Sequence, residues 1–320
     1  VKPVVLFLDD FECAFSNTPR IRMLEQRATL RMHTTPLRGP ALDQALSEAT
    51  GVVLMRDRTP FGPRELDLAP NLQFVIYTGT RNNLLDESAC EARQIPVLNT
   101  QFGPSKASTC ELTWALILAS LKRVETGLRI LREPRADWRQ GLHFPALPDI
   151  LEGETLGLVG LGNIGARVAR VGQAFGMRVL AWSPNLTPER AAAGGAEWSP
   201  LDDLLAQSKV VSLHMVLAES TRGLMDRARL ARMRPDSVLV NTSRAGLVNE
   251  QALLKALDAG RPGMAALDVF EVEPLPPEHP FRTMPQLTLS PHLGFVANPV
   301  YQTFTETVAD HLDRLLPRAE

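Results

Sequence analysis

The sequence predicts an α/β protein of two units, each built on a parallel β-sheet covered by helices on both faces. Three observations carry this. Short runs rich in Val, Ile and Leu alternate with helical patterns, as parallel strands buried on both sides require. A glycine-rich turn joins one such run to a helix in "ETLGLVGLGNIGARVARV". A long helical stretch, Gly103 to Leu131, separates the alternation before it from the alternation after it. With 320 residues the chain is long for one core and comfortable for two.

The elements follow in order. "PVVLFLDD" reads as a strand ending in Asp9 and Asp10. Residues 18–30 read as a helix, with Thr18 at the cap and Pro19 in the first turn. "TLRMHT" is compatible with a strand, and residues 40–49 with a helix opening at Pro40. "GVVLMR", "PNLQFVIYTG" and "IPVLNT" are three further strands. Beyond the long helical stretch, a proline-bearing loop, "REPRADWRQGLHFPALPDILEGE", leads into the second unit. Its β runs fall at 155–159, 178–182, 210–213, 237–241, 264–268 and 286–289. "NEQALLKALDAG" is the clearest helix there and stops at Gly260. The last segment, "NPVYQTFTETVADHLDRLLPR", is helical and is expected to cross back onto the first unit.

A formal net charge of -2 gives no global drive toward nucleic acid or an anionic membrane. The longest apolar runs, such as "LTWALILASL", are too short to span a bilayer. The start turns acidic at Asp9 and Asp10 and lacks a small-residue cleavage site, so it does not read as a signal peptide. Cys13, Cys90 and Cys110 are too widely spaced for a disulfide framework or a metal knuckle, and read as small buried hydrophobes. The expectation is a cytoplasmic protein with no metal, no membrane and no nucleic-acid partner.

"GLGNIG" follows a β run, opens a helix and precedes a second β run. In that context Gly160 permits a tight turn, Gly162 lets backbone approach a pyrophosphate, and Gly165 lets the helix pack on the sheet. An acid usually closes the second run and holds the adenosine ribose. Here Ser183 stands there, followed by Pro184 and Asn185. Ser183 neither grips a ribose strongly nor repels a 2′-phosphate. The next cation, Arg190, is expected on the following helix and out of reach unless that helix turns back. Use of both NAD and NADP follows, with at most a mild lean to NADP.

Open α/β sheets bind ligands outside the carboxyl ends of their strands. Past those ends stand His214, Arg244, Asp268, Glu271, Glu273 and His292. An arginine, a carboxylate and a histidine form a working set for reducing a 2-keto acid. The guanidinium grips carboxylate or carbonyl, the imidazole delivers a proton, and the carboxylate orients the imidazole. His214 also reads as a structural residue, and Asp268 as a cap for the next turn.

These motifs together resemble the D-isomer-specific 2-hydroxyacid dehydrogenases. The likeness runs over nearly the whole chain through "RNNLLDESACEARQIPVLNT", "ELTWALILASLKR", "GETLGLVGLGNIG", "NTSRAGLVNEQAL", "ALDVFEVEPLPPEHPF" and "LSPHLG". It implies two Rossmann-like domains, with the dinucleotide-binding domain (102–292) inserted in a flavodoxin-like substrate domain (1–101 plus 293–320). It implies that Arg244 binds substrate, that His292 is the acid/base and that Glu273 is its partner. Amides around Thr78 and Gly79 would hold the substrate carboxylate. Gly160, Gly162, Asn163, Ile164, Gly165, Ser183, His214, Thr242, Ser243 and Asp268 would surround NAD or NADP, with Asp268 near the nicotinamide. It also implies a homodimer, for which the apolar "CELTWALILASLKRV" is the expected surface, and a small 2-keto or 2-hydroxy acid such as glyoxylate or hydroxypyruvate as substrate.

The sequence departs from the family pattern in places. Ala245 follows Arg244 where glycine is usual. "LHMVLAEST" has Met215 and Val216 and lacks the usual proline. Two alternatives stay open. A D-3-phosphoglycerate dehydrogenase would want cations for a phosphate, with Arg56, Arg58 and Arg81 as candidates, although the regulatory domain many of those enzymes carry is not seen. A dinucleotide-sensing corepressor would bind partner peptides instead of turning over substrate.

Overall fold

Runs of Val, Leu and Ile become the central strands of two parallel sheets in the computed structural model, which describes residues 2–132 and 147–318. The first half of the chain runs β1 (Val4–Leu8), α1 (Pro19–Met23), β2 (Thr29–Met32), α2 (Pro40–Ser47), β3 (Gly51–Leu54), α3 (Pro63–Asp67), β4 (Phe74–Tyr77), α4 (Glu87–Ala92) and β5 (Val97–Asn99). Its strands pair in parallel in the order β2-β1-β3-β4-β5. Leu6, Leu46, Val52 and Val75 are fully buried in one of its cores. The helix expected over 18–30 is cut short after Met23 by a 3-10 turn, Leu24–Gln26. Thr29 must already pair with Val4, so the sheet overrides the helical pattern.

The second stretch runs α5 (Ser105–Leu121), α6 (Val124–Arg132), β6 (Thr155–Val159), α7 (Gly165–Ala174), β7 (Arg178–Trp182), α8 (Pro188–Ala193), β8 (Glu197–Trp198), α9 (Leu201–Gln207), β9 (Val210–Leu213), α10 (Arg227–Arg232), β10 (Val238–Asn241), α11 (Glu250–Asp258), β11 (Met264–Leu267) and β12 (Leu287–Leu289). Its strand order is β12-β11-β10-β9-β6-β7-β8, all parallel. Connections leave β6 in one direction and β9 in the other, so the switch point lies between these two strands. The helical stretch read over 103–131 is two helices, broken at Arg123, whose backbone is left-handed with φ 53°. The apolar face expected to meet a second subunit is largely consumed here. Cys110, Trp114, Ile117 and Leu121 are buried against Leu156, Val168 and Val240. Most of the proline-bearing loop, residues 133–146, lies outside the described residues.

The chain divides into Val1–Pro104 with Ala297–Glu320, and Ser105–Val296. The closing helix α12 (Asn298–Leu315) belongs to the first of these. There Arg20 pairs with Glu306, Asp310 and Asp313, and Phe304 is fully buried. The divisions fall a few residues after 101 and 292 for local reasons. Phe102 packs on Phe304 at 6.0 Å, and a Cβ on Gly103 would meet Thr303 Oγ1 at 2.5 Å, so both residues go with α12. Leu293 and Gly294 are instead held by Asp268. No helix among the described residues is long and apolar enough to cross a membrane.

Candidate functional site

The glycine turn after β6 fits a dinucleotide. Gly160 has φ 105°, and a Cβ there would lie 2.4 Å from the His214 carbonyl oxygen. A Cβ on Gly165 would lie 2.2 Å from the Gly160 carbonyl oxygen. Both glycines are demanded by the packing of the fold. Gly162 differs: a Cβ there would meet nothing within 4 Å. It faces open space, which a side chain would fill and a pyrophosphate can approach. Asn163 is exposed beside it, and the Ile164 carbonyl accepts from the Arg167 and Val168 amides as α7 begins.

Across the switch point, His214 Nε2 lies 2.9 Å from Ser212 Oγ. Burial of the ring pushes its pKa down to about 4, so it adds no charge to a cofactor site at neutral pH. In the following loop, which lacks the proline, hydroxyls pin two of the carbonyls. Ser243 Oγ donates to Met215 O at 2.7 Å and Thr221 Oγ1 to Val216 O at 2.8 Å.

Ser183 closes β7, and its carbonyl accepts from the Leu186 amide at 3.1 Å. Arg190 lies on the following helix, as expected, with its side chain turned back toward the preceding loop. Helix α8 starts so soon after the strand that Arg190 Nη1 donates to the Asn185 carbonyl at 2.8 Å. Its exposed guanidinium therefore stands over the loop that carries Ser183.

After β10 the buried Asn241 organises the arginine loop. Its Nδ2 donates to Arg244 O at 2.9 Å, and its Oδ1 accepts from the Ser243 amide at 3.1 Å. Thr242 Oγ1 lies 2.8 Å from Thr113 Oγ1 on α5. Arg244 itself is exposed and, among the described residues, commits only Nη1, to Ser243 O at 2.7 Å. Ala245 opens a 3-10 turn and is not among the residues with left-handed backbone, so no glycine is needed there.

After β12, His292 has φ 55°, a conformation unusual for a residue with a side chain. Its Nδ1 lies 2.7 Å from Glu273 Oε2, and Glu273 Oε1 accepts from the Phe270 amide at 2.9 Å. Burial pushes the Glu273 pKa up. The His292 hydrogen bond and charge, the Phe270 amide and the charge of Arg244 outweigh it and leave the carboxyl below the ordinary glutamate value. With Nδ1 donating to an ionised Glu273, the ring presents Nε2 outward.

Of the two roles the sequence leaves to Asp268, the contacts within the chain fit the cap for the next turn. Its fully buried carboxylate accepts from Ser290 Oγ at 2.5 Å, the Leu293 amide at 2.7 Å and the Gly294 amide at 2.9 Å. It thereby helps to fold the His292 loop.

In the first unit, the Thr78 amide donates to Leu54 O at 3.0 Å and the Gly79 amide to Thr100 Oγ1 at 2.8 Å. The two amides expected to hold a substrate carboxylate are thus already paired. Arg56 Nη1 donates to the carbonyls of Thr78 and Arg81 at 3.1 and 3.2 Å, and its guanidinium stacks on Phe102 at 4.3 Å. Arg58 forks onto Glu12 at 2.9 and 2.6 Å. Arg81 is exposed.

The structure thus brings Arg244, Glu273 and His292 to the carboxyl edge of one sheet. It adds residues that sequence reasoning missed: Asn241, Ser290 and Thr113, which stand inside motifs already singled out, and Thr109, which stands just before one.

A model of the D-isomer specific 2-hydroxyacid dehydrogenase NAD-binding domain matches residues 114–294. The chain is 39% identical over 231 residues to a glyoxylate reductase of Aeropyrum pernix, covering 71% of this chain and 68% of that one. It is 36% identical over 258 residues to a D-3-phosphoglycerate dehydrogenase of Mycobacterium tuberculosis, covering 80% of this chain and 48% of that longer one. Among solved structures, a phosphoglycerate oxidoreductase of Vibrio cholerae superposes with a TM-score of 0.88 at 31% identity, over 98% of this chain and 99% of that one.

Proposed function

Because the chain belongs to the D-isomer-specific 2-hydroxyacid dehydrogenase family, we propose that it reduces small unphosphorylated 2-keto acids, such as glyoxylate or hydroxypyruvate. It is an NAD-binding oxidoreductase of the CH–OH group. The observation that carries the finer reading is the His292–Glu273 pair at 2.7 Å, with the charge of Arg244 felt at Glu273.

The nicotinamide, when bound, supplies the hydride. The residues of the chain do the rest. Arg244 has donors left to grip the keto acid through its carboxylate and carbonyl oxygens. Protonated His292 hydrogen-bonds the carbonyl oxygen through Nε2 and hands over that proton as negative charge develops there. Glu273 stabilises the imidazolium beforehand and holds the ring's orientation afterwards. In the opposite direction His292 takes the hydroxyl proton.

The amides of Thr78 and Gly79, expected to hold the substrate carboxylate, are paired within the first unit, so the grip on it falls to Arg244. Of the three cations a phosphate would want, Arg56 and Arg58 already serve backbone carbonyls and Glu12, which leaves the exposed Arg81. This favours an unphosphorylated acid over phosphoglycerate. Ser183 removes the usual repulsion of a 2′-phosphate and Arg190 supplies a nearby cation, which supports use of both cofactors with a lean to NADP. We further propose a homodimer, with α6 rather than α5 supplying the contact.

The test is a panel of glyoxylate, hydroxypyruvate, pyruvate and phosphohydroxypyruvate, each with NADH and NADPH, followed at the nicotinamide absorbance. The expected result is turnover of the small acids above the phosphorylated one. Dinucleotide binding without turnover of any of them would turn the reading toward a sensing protein.

A further inference from the structure

The first turns of α5 carry two threonines spaced by one helical turn, and each reaches a different loop. Thr109 Oγ1 lies 3.0 Å from the carbonyl of Ser105, on its own helix, and 2.9 Å from the carbonyl of Gly294. Its single proton lies between the two acceptors. Thr113 Oγ1 lies 2.8 Å from the Thr109 carbonyl and 2.8 Å from Thr242 Oγ1. A helical threonine commonly satisfies itself on the preceding turn. Neither of these stops there. Gly294 follows closely on His292 in "SPHLG", and Thr242 closely precedes Arg244 in "NTSR".

The Gly294 peptide is gripped on both sides. Its amide donates to Asp268 Oδ2 at 2.9 Å, and its carbonyl accepts from Thr109. This matters because His292 sits at φ 55°, and such a backbone persists only where its surroundings over-determine it. Asp268 accounts for the amide side of that loop, and Thr109 for the carbonyl side. On the other loop, the Thr113 proton goes naturally to the Thr109 carbonyl. Thr242 then donates to Thr113, which fixes the hydroxyl at the start of the Arg244 turn.

We propose that Thr109 and Thr113 are positioning residues: together they make α5 a splint that sets the separation between the loop carrying His292 and the loop carrying Arg244. This rests on the reading that those two residues act on one substrate. A rigid helix is suited to the task because rates fall steeply when reacting groups are misplaced by an ångström.

The test uses Thr109→Val and Thr113→Val, which keep shape and remove the hydroxyl, with Thr109→Ser as the rescue. Each is assayed for kcat and KM on a keto acid that the wild type reduces, for cofactor Kd, and by proton NMR for the His292 Nδ1 proton shared with Glu273. Thr109→Val is expected to lower kcat about tenfold or more, with cofactor Kd changed less than about twofold, and to shift or broaden the Nδ1 resonance. Thr109→Ser is expected to restore both. Thr113→Val is expected to act more on KM, through Arg244. The double variant should cost no more than the worse single one, since losing either end frees the separation. Valine variants with unchanged kcat, KM and resonance would overturn the proposal, as would losses that serine does not rescue. If the wild type reduces no keto acid, the functional reading fails, while the resonance in the valine and serine variants still decides the splint. Thr109→Ala takes the place of the valine variant if that one does not fold.

Discussion

At the scale of single residues, the proposed chemistry depends on which way one imidazole faces. The bond from His292 Nδ1 to Glu273 at 2.7 Å turns Nε2 outward and fixes the tautomer. His292→Ala is expected to reduce turnover about 10²–10⁴-fold with cofactor affinity little changed, because only proton transfer is removed. Single-turnover rates and a cofactor titration check this, and near-normal turnover would defeat the assignment. Glu273→Gln keeps the shape and removes the charge that stabilises imidazolium, so the limb of the pH–rate profile that reports the acid should move to lower pH. A profile that stays put counts against the pair. The proposed cofactor choice turns on two other residues. Ser183→Asp is expected to shift preference toward NADH by roughly 1–3 kcal/mol through repulsion of the 2′-phosphate. Arg190 is exposed, so Arg190→Ala should cost NADPH only about 0.5–1 kcal/mol and leave NADH nearly unchanged. Values of kcat/KM for both cofactors decide it. A wild type already strongly selective for NADH would show that other groups exclude the phosphate.

At the scale of elements, the edge of the second sheet opposite the candidate site carries an ion network of its own. Lys209, just before β9, is buried with Nζ 2.7 Å from Asp149 and 3.1 Å from Asp236. Arg234 bridges Asp236 and Glu154 at 2.7 and 3.0 Å. Hydrogen bonding from Arg234, helped by Lys209, holds the Asp236 carboxyl down to about 2. Its folded pKa therefore lies below its unfolded one. The stability it contributes is complete above the ordinary carboxylate range and is lost as pH falls toward about 2. Asp236→Asn should lower Tm at neutral pH and lose that difference in strong acid. An equal Tm deficit at both would mean that packing, and not charge, was removed. Elements of this kind were legible to very different degrees. The strands at 155–159, 178–182 and 210–213 stood out because burial on both faces leaves continuous apolar runs. The two-residue strand β8 has both side chains exposed and leaves no pattern. The break at Arg123 occurs without glycine or proline, so nothing in "LKRVETG" short of the terminal glycine announced it. Arg244, Glu273 and His292 were legible because each stands just past a strand. The pairing of the Gly79 amide was not, because its partner, the Thr100 hydroxyl, lies beyond the next strand.

At the scale of the whole molecule, the surface proposed to meet a second copy is α6. None of its residues is buried. Val124, Leu128 and Leu131 fall on one stripe and are 47%, 46% and 63% exposed. Nearby in sequence, Leu147 and Ile150 are 82% and 67% exposed. A stripe of exposed apolar side chains such as that of α6 marks an interaction surface more often than a solvated one. A second copy offers the same stripe, and a two-fold axis lays like on like, so one patch can cover the other. The apolar face of α5 cannot play this part, since Trp114, Ile117 and Leu121 already face the core of their own unit. Sedimentation at micromolar concentration is therefore expected to give a dimer. Leu128→Lys combined with Leu131→Lys should yield a monomer, because charges opposed across the axis repel and cannot be desolvated cheaply. Changes at exposed positions of α5, such as Ala115→Lys, should leave the dimer intact. A wild-type monomer would overturn the assembly, and a dimer lost through α5 but kept through the α6 changes would move the contact back to the helix the sequence first suggested.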